Sequence, residues 1–156
     1  MKKVLKQIIS NSEEETKNAG RWLGRLLKPG DVICLVGELG TGKTAFTKGI
    51  AEALGIQEII TSPTFTIVNE YKGGSKLHHF DVYRVNDPDE LYNIGFEEYV
   101  YSDAVVVIEW ADLISDIIPD ERIWITFSRD AQGENGRNII ISFQGKRFEN
   151  RFMPLT

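Results

Sequence analysis

The sequence predicts a three-layer α/β domain with a mostly parallel central sheet and antiparallel additions. Three observations predict it. Two short unbroken apolar runs, Val32–Val36 and Ala104–Ile108, have the pattern of strands buried on both faces of a parallel sheet. Helical stretches with start and stop signals alternate with them. Two pairs of further strand-like runs, each pair joined by a Gly-containing turn, supply the antiparallel part.

Taken in order, Val4–Ile9 alternates enough for a short edge strand. Ser12 followed by Glu15 reads as a capping box, and the acids Glu13–Glu15 suit the positive end of a helix dipole. The helix runs to about Leu27, with Trp22, Leu23, Leu26 and Leu27 on its apolar side, and Lys28-Pro29-Gly30 stops it. After the strand Val32–Val36 comes GELGTGKT, then a helix to about Leu54 closed by Gly55. Ile56–Ile60 leads into TSPTF, where Pro63 forces Ser62 out of the helical region. Phe65–Tyr71 and Ser75–Val82 form a hairpin around Lys72-Gly73-Gly74. Asp87-Pro88-Asp89-Glu90 starts a helix, with Pro and acids in the first turn. Arg122–Phe127 and Asn138–Phe143 are two more strands joined by AQGENG. With no repeats or linkers, residues 1–156 are expected to form one domain.

Composition narrows the function. The chain has 42% hydrophobic and 26% charged residues, which suits a globular core rather than disorder. A net charge of −5 argues against tight non-specific binding to a nucleic-acid backbone, which depends on lysine and arginine. It leaves room for a protein that works beside RNA held by a basic partner. The single cysteine, Cys34, has no disulfide partner in the chain and sits inside a buried run, as a small core residue. The apolar runs fall far short of the roughly 20 residues that cross a bilayer, and the first residues lack the apolar run of a signal peptide. A cytoplasmic location is the expectation.

Gly37-Glu38-Leu39-Gly40-Thr41-Gly42-Lys43-Thr44 matches G-x-x-x-x-G-K-[ST], the phosphate-binding loop of P-loop NTPases, between a predicted strand and a predicted helix. Glycine lets main-chain N–H groups approach a phosphate, and the helix start adds partial positive charge. Lys43 supplies a cation for the β- and γ-phosphates, and Thr44 a hydroxyl for Mg²⁺. Hydrolysis also needs a carboxylate near the metal and a group that positions the attacking water. Glu109 ends the run AVVVIEW in the manner of a Walker B acid, or else is a solvated residue just past a strand end. In HHFDVYR a strand would put His79, Asp81 and Tyr83 on one polar face, and His78, Phe80 and Val82 on the other. Asp81 then faces a site or pairs with Arg84 on the surface. Ser62 and Thr64 lie where a nucleotide-sensing switch lies in related hydrolases, or in a simple turn. Trp110 either packs in the core or covers the site.

Together GELGTGKT, SPTFTIVNEY, HFDVYR followed by DPDEL, and VVIEWAD resemble the TsaE family, small bacterial ATPases required for the threonylcarbamoyladenosine modification of tRNA. The resemblance runs from the helix start at Ser12–Glu15 to the AQG segment at 131–133. It implies ATP and Mg²⁺ as ligands, with Lys43 on the phosphates and Thr44 and Glu109 on the metal. Asp81 is similar to the family's essential aspartate and Thr64 to its switch position. Glu13 and Gly133 resemble segments that close over the base. The resemblance further implies TsaB and TsaD as partners, with tRNA engaged through their complex. It also implies hydrolysis that is weak alone and coupled to the turnover of that complex. The chain departs from the family pattern at Thr41 and Ala111, where Ala and Pro are frequent. Two other classes are less well served. A small-molecule kinase needs a second pocket and lid arginines, for which only Arg129 and Arg137 are late candidates; a GTPase needs N-K-x-D, and Asn86-Asp87-Pro88-Asp89 lacks the lysine.

Overall fold

Strict alternation along the buried strands sends successive side chains to opposite faces, so each apolar strand must be covered twice. The computed structural model describes residues 2–38, 40–130 and 133–156; Leu39 of the phosphate loop and Ala131 and Gln132 of the AQG segment lie outside them. The elements follow the order β1 (Lys3–Ser10), α1 (Glu13–Gly24), β2 (Val32–Gly37), α2 (Lys43–Ala53), β3 (Val68–Lys72), β4 (Lys76–Asp81), α3 (Pro88–Asn93), α4 (Phe96–Val100), β5 (Val105–Glu109), a 3₁₀ segment (Ala111–Ile117), β6 (Arg122–Arg129), β7 (Arg137–Gln144) and α5 (Lys146–Phe152).

These seven strands make one mixed sheet in the order β1-β7-β6-β2-β5-β4-β3. The centre, β6-β2-β5-β4, is parallel, while β1, β7 and β3 join through antiparallel pairings. The expected mostly parallel sheet therefore holds by direction, with only β7 and β3 reversed, although antiparallel pairings are as many as parallel ones.

On one face Ile33, Leu35, Val107, Ile125 and Ile141 pack beneath Leu23 of α1, Phe46 and Ile50 of α2, and Phe148 and Phe152 of α5. On the other, Cys34, Phe80, Val106 and Ile108 pack beneath Leu91, Phe96, Val100 and Ile114. Each such fully buried side chain contributes about 1.5–3 kcal/mol relative to exposure. Helices α1 and α2 meet at backbone contact. A Cβ on Gly49 would lie 2.0 Å from the Lys17 carbonyl oxygen, and one on Gly20 would lie 2.1 Å from that of Phe46. This crossing brings the start of α1 beside the start of α2, and the site lies there.

Several elements depart from the sequence expectation. The capping bond from Glu15 N–H to Ser12 Oγ forms at 3.1 Å, but the Glu15 carboxylate accepts from Asn11 N–H, one residue before the cap. Helix α1 stops at Gly24 instead of Leu27, because Leu26 and Leu27 bond back three residues to Leu23 and Gly24 and tighten the last turn. The hairpin turn is Gly73-Gly74-Ser75, one residue later than expected, since Gly73 must approach the end of α2: a Cβ there would sit 2.5 Å from the Gly55 oxygen. Asp87 caps α3 as expected, accepting from Asp89 N–H at 3.0 Å. Among the described residues no helix is long and apolar enough to cross a membrane.

Candidate functional site

The loop between β2 and α2 owes its shape to its glycines. Gly40 (φ 75°) and Gly42 (φ 103°) take left-handed backbone that a side chain would strain, and Gly42 caps α2 with no side chain bonded to its first-turn N–H groups. Gly37 is held by space instead, since a Cβ there would meet the Phe127 oxygen at 2.6 Å. Thr41 is buried and its hydroxyl donates to the Glu38 carbonyl at 2.6 Å, so its side chain braces the loop from within. The first N–H groups of α2 therefore carry no side-chain cap where Gly40, Gly42, Lys43 and Thr44 line a cavity, and a helix start of this kind favours an anion.

Lys43 opens α2 and folds back over the loop. Its Nζ donates to the Gly37 carbonyl and, at 3.4 Å, to that of Glu38, and it stands 3.6 Å from the centroid of the Trp110 ring. Burial pushes its ammonium below the usual lysine range, against the opposing pull of Glu109, Asp81 and Asp112. Half-buried, Trp110 both packs against the core around Phe80 and Ile108 and lines the site. It takes left-handed backbone (φ 63°) directly after β5, and its ring meets that of Tyr83 at 4.6 Å. Among the described residues the other non-glycine one with positive φ, Ile67 (φ 70°), ends the segment that carries Ser62 and Thr64. Strained backbone thus flanks the site on both sides, as it does at many functional sites.

The two acids come together because β4 and β5 are paired with Asp81 opposite Glu109, at the carboxyl ends of both strands. Leu77 of β4 and Val107 of β5 belong to the core under α1 and α2, so two-residue periodicity turns Asp81 and Glu109 toward the same face. Both are buried, at 5% and 3% exposure, which rules out the solvated strand end for Glu109. Asp81 Oδ2 accepts from Thr64 Oγ1 at 3.2 Å and Ser62 Oγ at 3.4 Å, and Oδ1 accepts from Tyr83 N–H at 3.0 Å. The alternative pairing with Arg84 does not form; that guanidinium lies over the Phe65 ring at 4.6 Å. Glu109 Oε2 accepts from His79 Nε2 at 2.5 Å. The predicted polar face holds for His79 and Asp81, whereas Tyr83 lies past the end of the strand.

A cavity of about 390 Å³ opens among these groups, lined by Glu13, Gly40, Gly42, Lys43, Thr44, Thr64, Asp81, Glu109 and Trp110. Ser12, Thr16, Ala45, Ser62, Asn135 and Arg137 complete its wall. Gly133 does not line it; its loop contributes Asn135, and β7 contributes Arg137, which donates to the Gly40 carbonyl at 3.1 Å. No three His, Cys, Asp or Glu residues form a ready cage for a metal among the described residues. The donors that do line the cavity, the Thr44 hydroxyl and the Asp81 and Glu109 carboxylates, are hard oxygens of the kind that suit Mg²⁺, which is commonly held by one or two carboxylates together with phosphate oxygens. Sequence reasoning misses Thr16 and Asn135, puts His79 on the polar face without giving it Glu109 as partner, and leaves Trp110 undecided. The H-x-D spacing was the one available signal for His79.

The chain is similar to known proteins over most of its length. The model of the family described as threonylcarbamoyl adenosine biosynthesis protein TsaE matches residues 10–139. The Bacillus subtilis protein named tRNA threonylcarbamoyladenosine biosynthesis protein TsaE is 46% identical over 137 residues, covering 87% of this chain and 84% of its own. The Treponema pallidum protein of the same name is 43% identical over 125 residues, covering 80% and 93%. The crystal structure of Bacillus subtilis YdiB superposes with a TM-score of 0.83 at 39% identity, over 99% of this chain and 95% of that one. With most of its length matched by the family and by relatives this similar, the chain belongs to the TsaE family.

Proposed function

We propose that this protein is a Mg²⁺-dependent ATPase required for threonylcarbamoyladenosine modification of tRNA. It acts in the cytoplasm with a TsaB–TsaD complex and couples ATP hydrolysis to the turnover of that complex. The observation that carries the reading is the opposition of the glycine-rich loop at the head of α2, whose first N–H groups no side chain caps, to the buried pair Asp81 and Glu109 at the ends of β4 and β5. Family membership supports the pathway.

Within this reading the loop 37–44, Leu39 included, cradles the phosphates with its amides, and Lys43 neutralises them. Glu13 on one side and the loop of Gly133 on the other border the base. Thr44 and Glu109 would hold Mg²⁺, which when bound screens the phosphate charge and orients its oxygens. Asp81 is left to orient the attacking water and accept its proton. Thr64 bonds Asp81 in this structure, so a Thr64 that turns toward a γ-phosphate releases that carboxylate for the water. Trp110 excludes solvent above Lys43.

The test is phosphate release from ATP, alone and with TsaB and TsaD, beside K43A. Slow release alone, faster release with the partners and loss of nucleotide binding in K43A are expected. Phosphorylation of a small metabolite in place of phosphate release, or ordinary ATP affinity in K43A, would overturn the proposal.

A further inference from the structure

One enclosed polar contact beside the site belongs to a residue with no part in the scheme above. His79 is fully buried, yet its Nε2 lies 2.5 Å from Glu109 Oε2. A carboxylate only accepts, so the proton of this bond is assigned to Nε2. The other ring nitrogen, Nδ1, is buried without a partner among the described residues, so the imidazole is satisfied on the Glu109 side alone. Pairing explains the reach: His79 stands opposite Val107 and Asp81 opposite Glu109, which makes His79 the diagonal neighbour of Glu109 on one face.

Resting on the nucleotide-and-metal reading of this site, we propose that His79 is a positioning residue. By occupying Oε2 it fixes the Glu109 carboxylate with Oε1 directed to the cavity that Glu109 lines, and so sets the affinity of the site for the divalent cation. Glutamate has rotamer freedom that a strand end does not remove, and a single donor from a rigid, enclosed ring removes it. Partners of this kind behind metal-binding groups alter affinity strongly when lost. The spacing H-x-D thus does two jobs on one strand face: Asp81 serves the water, and His79 serves the acid of the next strand.

The experiment compares H79Q with H79N in the full-length protein, by titrating binding of a fluorescent ADP with Mg²⁺ and repeating it in EDTA. The two variants carry the same amide, but only glutamine places its nitrogen near the Nε2 position. H79N should need about 10–100-fold more Mg²⁺ for half-maximal binding, with binding in EDTA within about twofold of wild type, while H79Q stays near wild type. An unchanged Mg²⁺ midpoint in H79N, equal midpoints in the two variants, or equal losses with and without Mg²⁺ would overturn the proposal. A wild-type protein whose nucleotide binding ignores Mg²⁺ would overturn the underlying reading instead, and that is visible before any variant is made.

Discussion

Carboxylates are buried at both ends of the parallel strands, and the two ends treat them differently. Asp31, just before β2, is fully buried and saturated: Arg151 bonds both of its oxygens, Lys28 N–H donates to it at 2.7 Å, and Arg147 lies 3.9 Å away. Asp81 and Glu109, at the carboxyl ends of β4 and β5, have hydroxyls, one backbone N–H and one imidazole, and, among the described residues, no guanidinium. A saturated carboxylate can only hold the fold. One left short of cationic partners beside a cavity has capacity for a ligand's charge. The same residue type is therefore structural at one end of the sheet and available for chemistry at the other, in keeping with ligand binding beyond the carboxyl ends of open α/β sheets.

Substitutions at the two ends should break this symmetry. D81N keeps an acceptor for Tyr83 N–H and groups for the two hydroxyls to bond, so its stability should change by no more than about 1 kcal/mol. Its turnover should fall about 10²–10⁴-fold with ATP still bound, measured by phosphate release beside an equilibrium binding assay. Turnover near wild type would make Asp81 structural as well. R151M is the mirror case. Leaving Asp31 without its main partner should cost about 3 kcal/mol or more, read as a lowered midpoint in urea, while turnover per folded molecule is kept. E109Q, which removes a charge but little volume, should weaken nucleotide binding in Mg²⁺ more than in EDTA. Equal losses would remove Glu109 from the metal.

The sequence made the cavity end legible because its signals are local. The phosphate loop is eight contiguous residues flanked by a strand and a helix, and Asp81 and Glu109 each close a readable strand. What put them opposite one another is the β4–β5 register, which no local pattern encodes. The saturated end was not legible at all. Asp31 and Arg151 are 120 positions apart, and α5, which carries Arg151, lacks a side-chain cap that would announce it. Arg137 was noticed only as a late arginine, and its bond to Gly40 depends on how β7 lies beside the loop. Trp110 is undecided from sequence because an aromatic after a strand end meets the core, the site or, as here, both, and no local pattern encodes its left-handed backbone. The short α4 and the 3₁₀ segment likewise draw their stability from packing over Phe80 and Ile108 rather than from propensity.

A third carboxylate sharpens the comparison with the smallest expected effect. Glu52 on α2 is bonded by Lys17 at 2.8 Å and Arg21 at 2.5 Å across the α1–α2 crossing, so it has two cations beside it, as Asp31 does, but in solvent. Hydrogen bonds from Lys17 and then Arg21 hold its carboxyl below the usual carboxylate range. Because the folded value is depressed, the stability it lends is present above the unfolded value and is lost as pH falls through the folded one. E52Q should therefore lower the melting temperature slightly at neutral pH. The gap from wild type should close as pH drops below the ordinary glutamate range, and also as salt is raised, since exposed pairs are screened. A loss comparable to that of R151M would mean that the number of partners, not enclosure, decides what a carboxylate does in this fold.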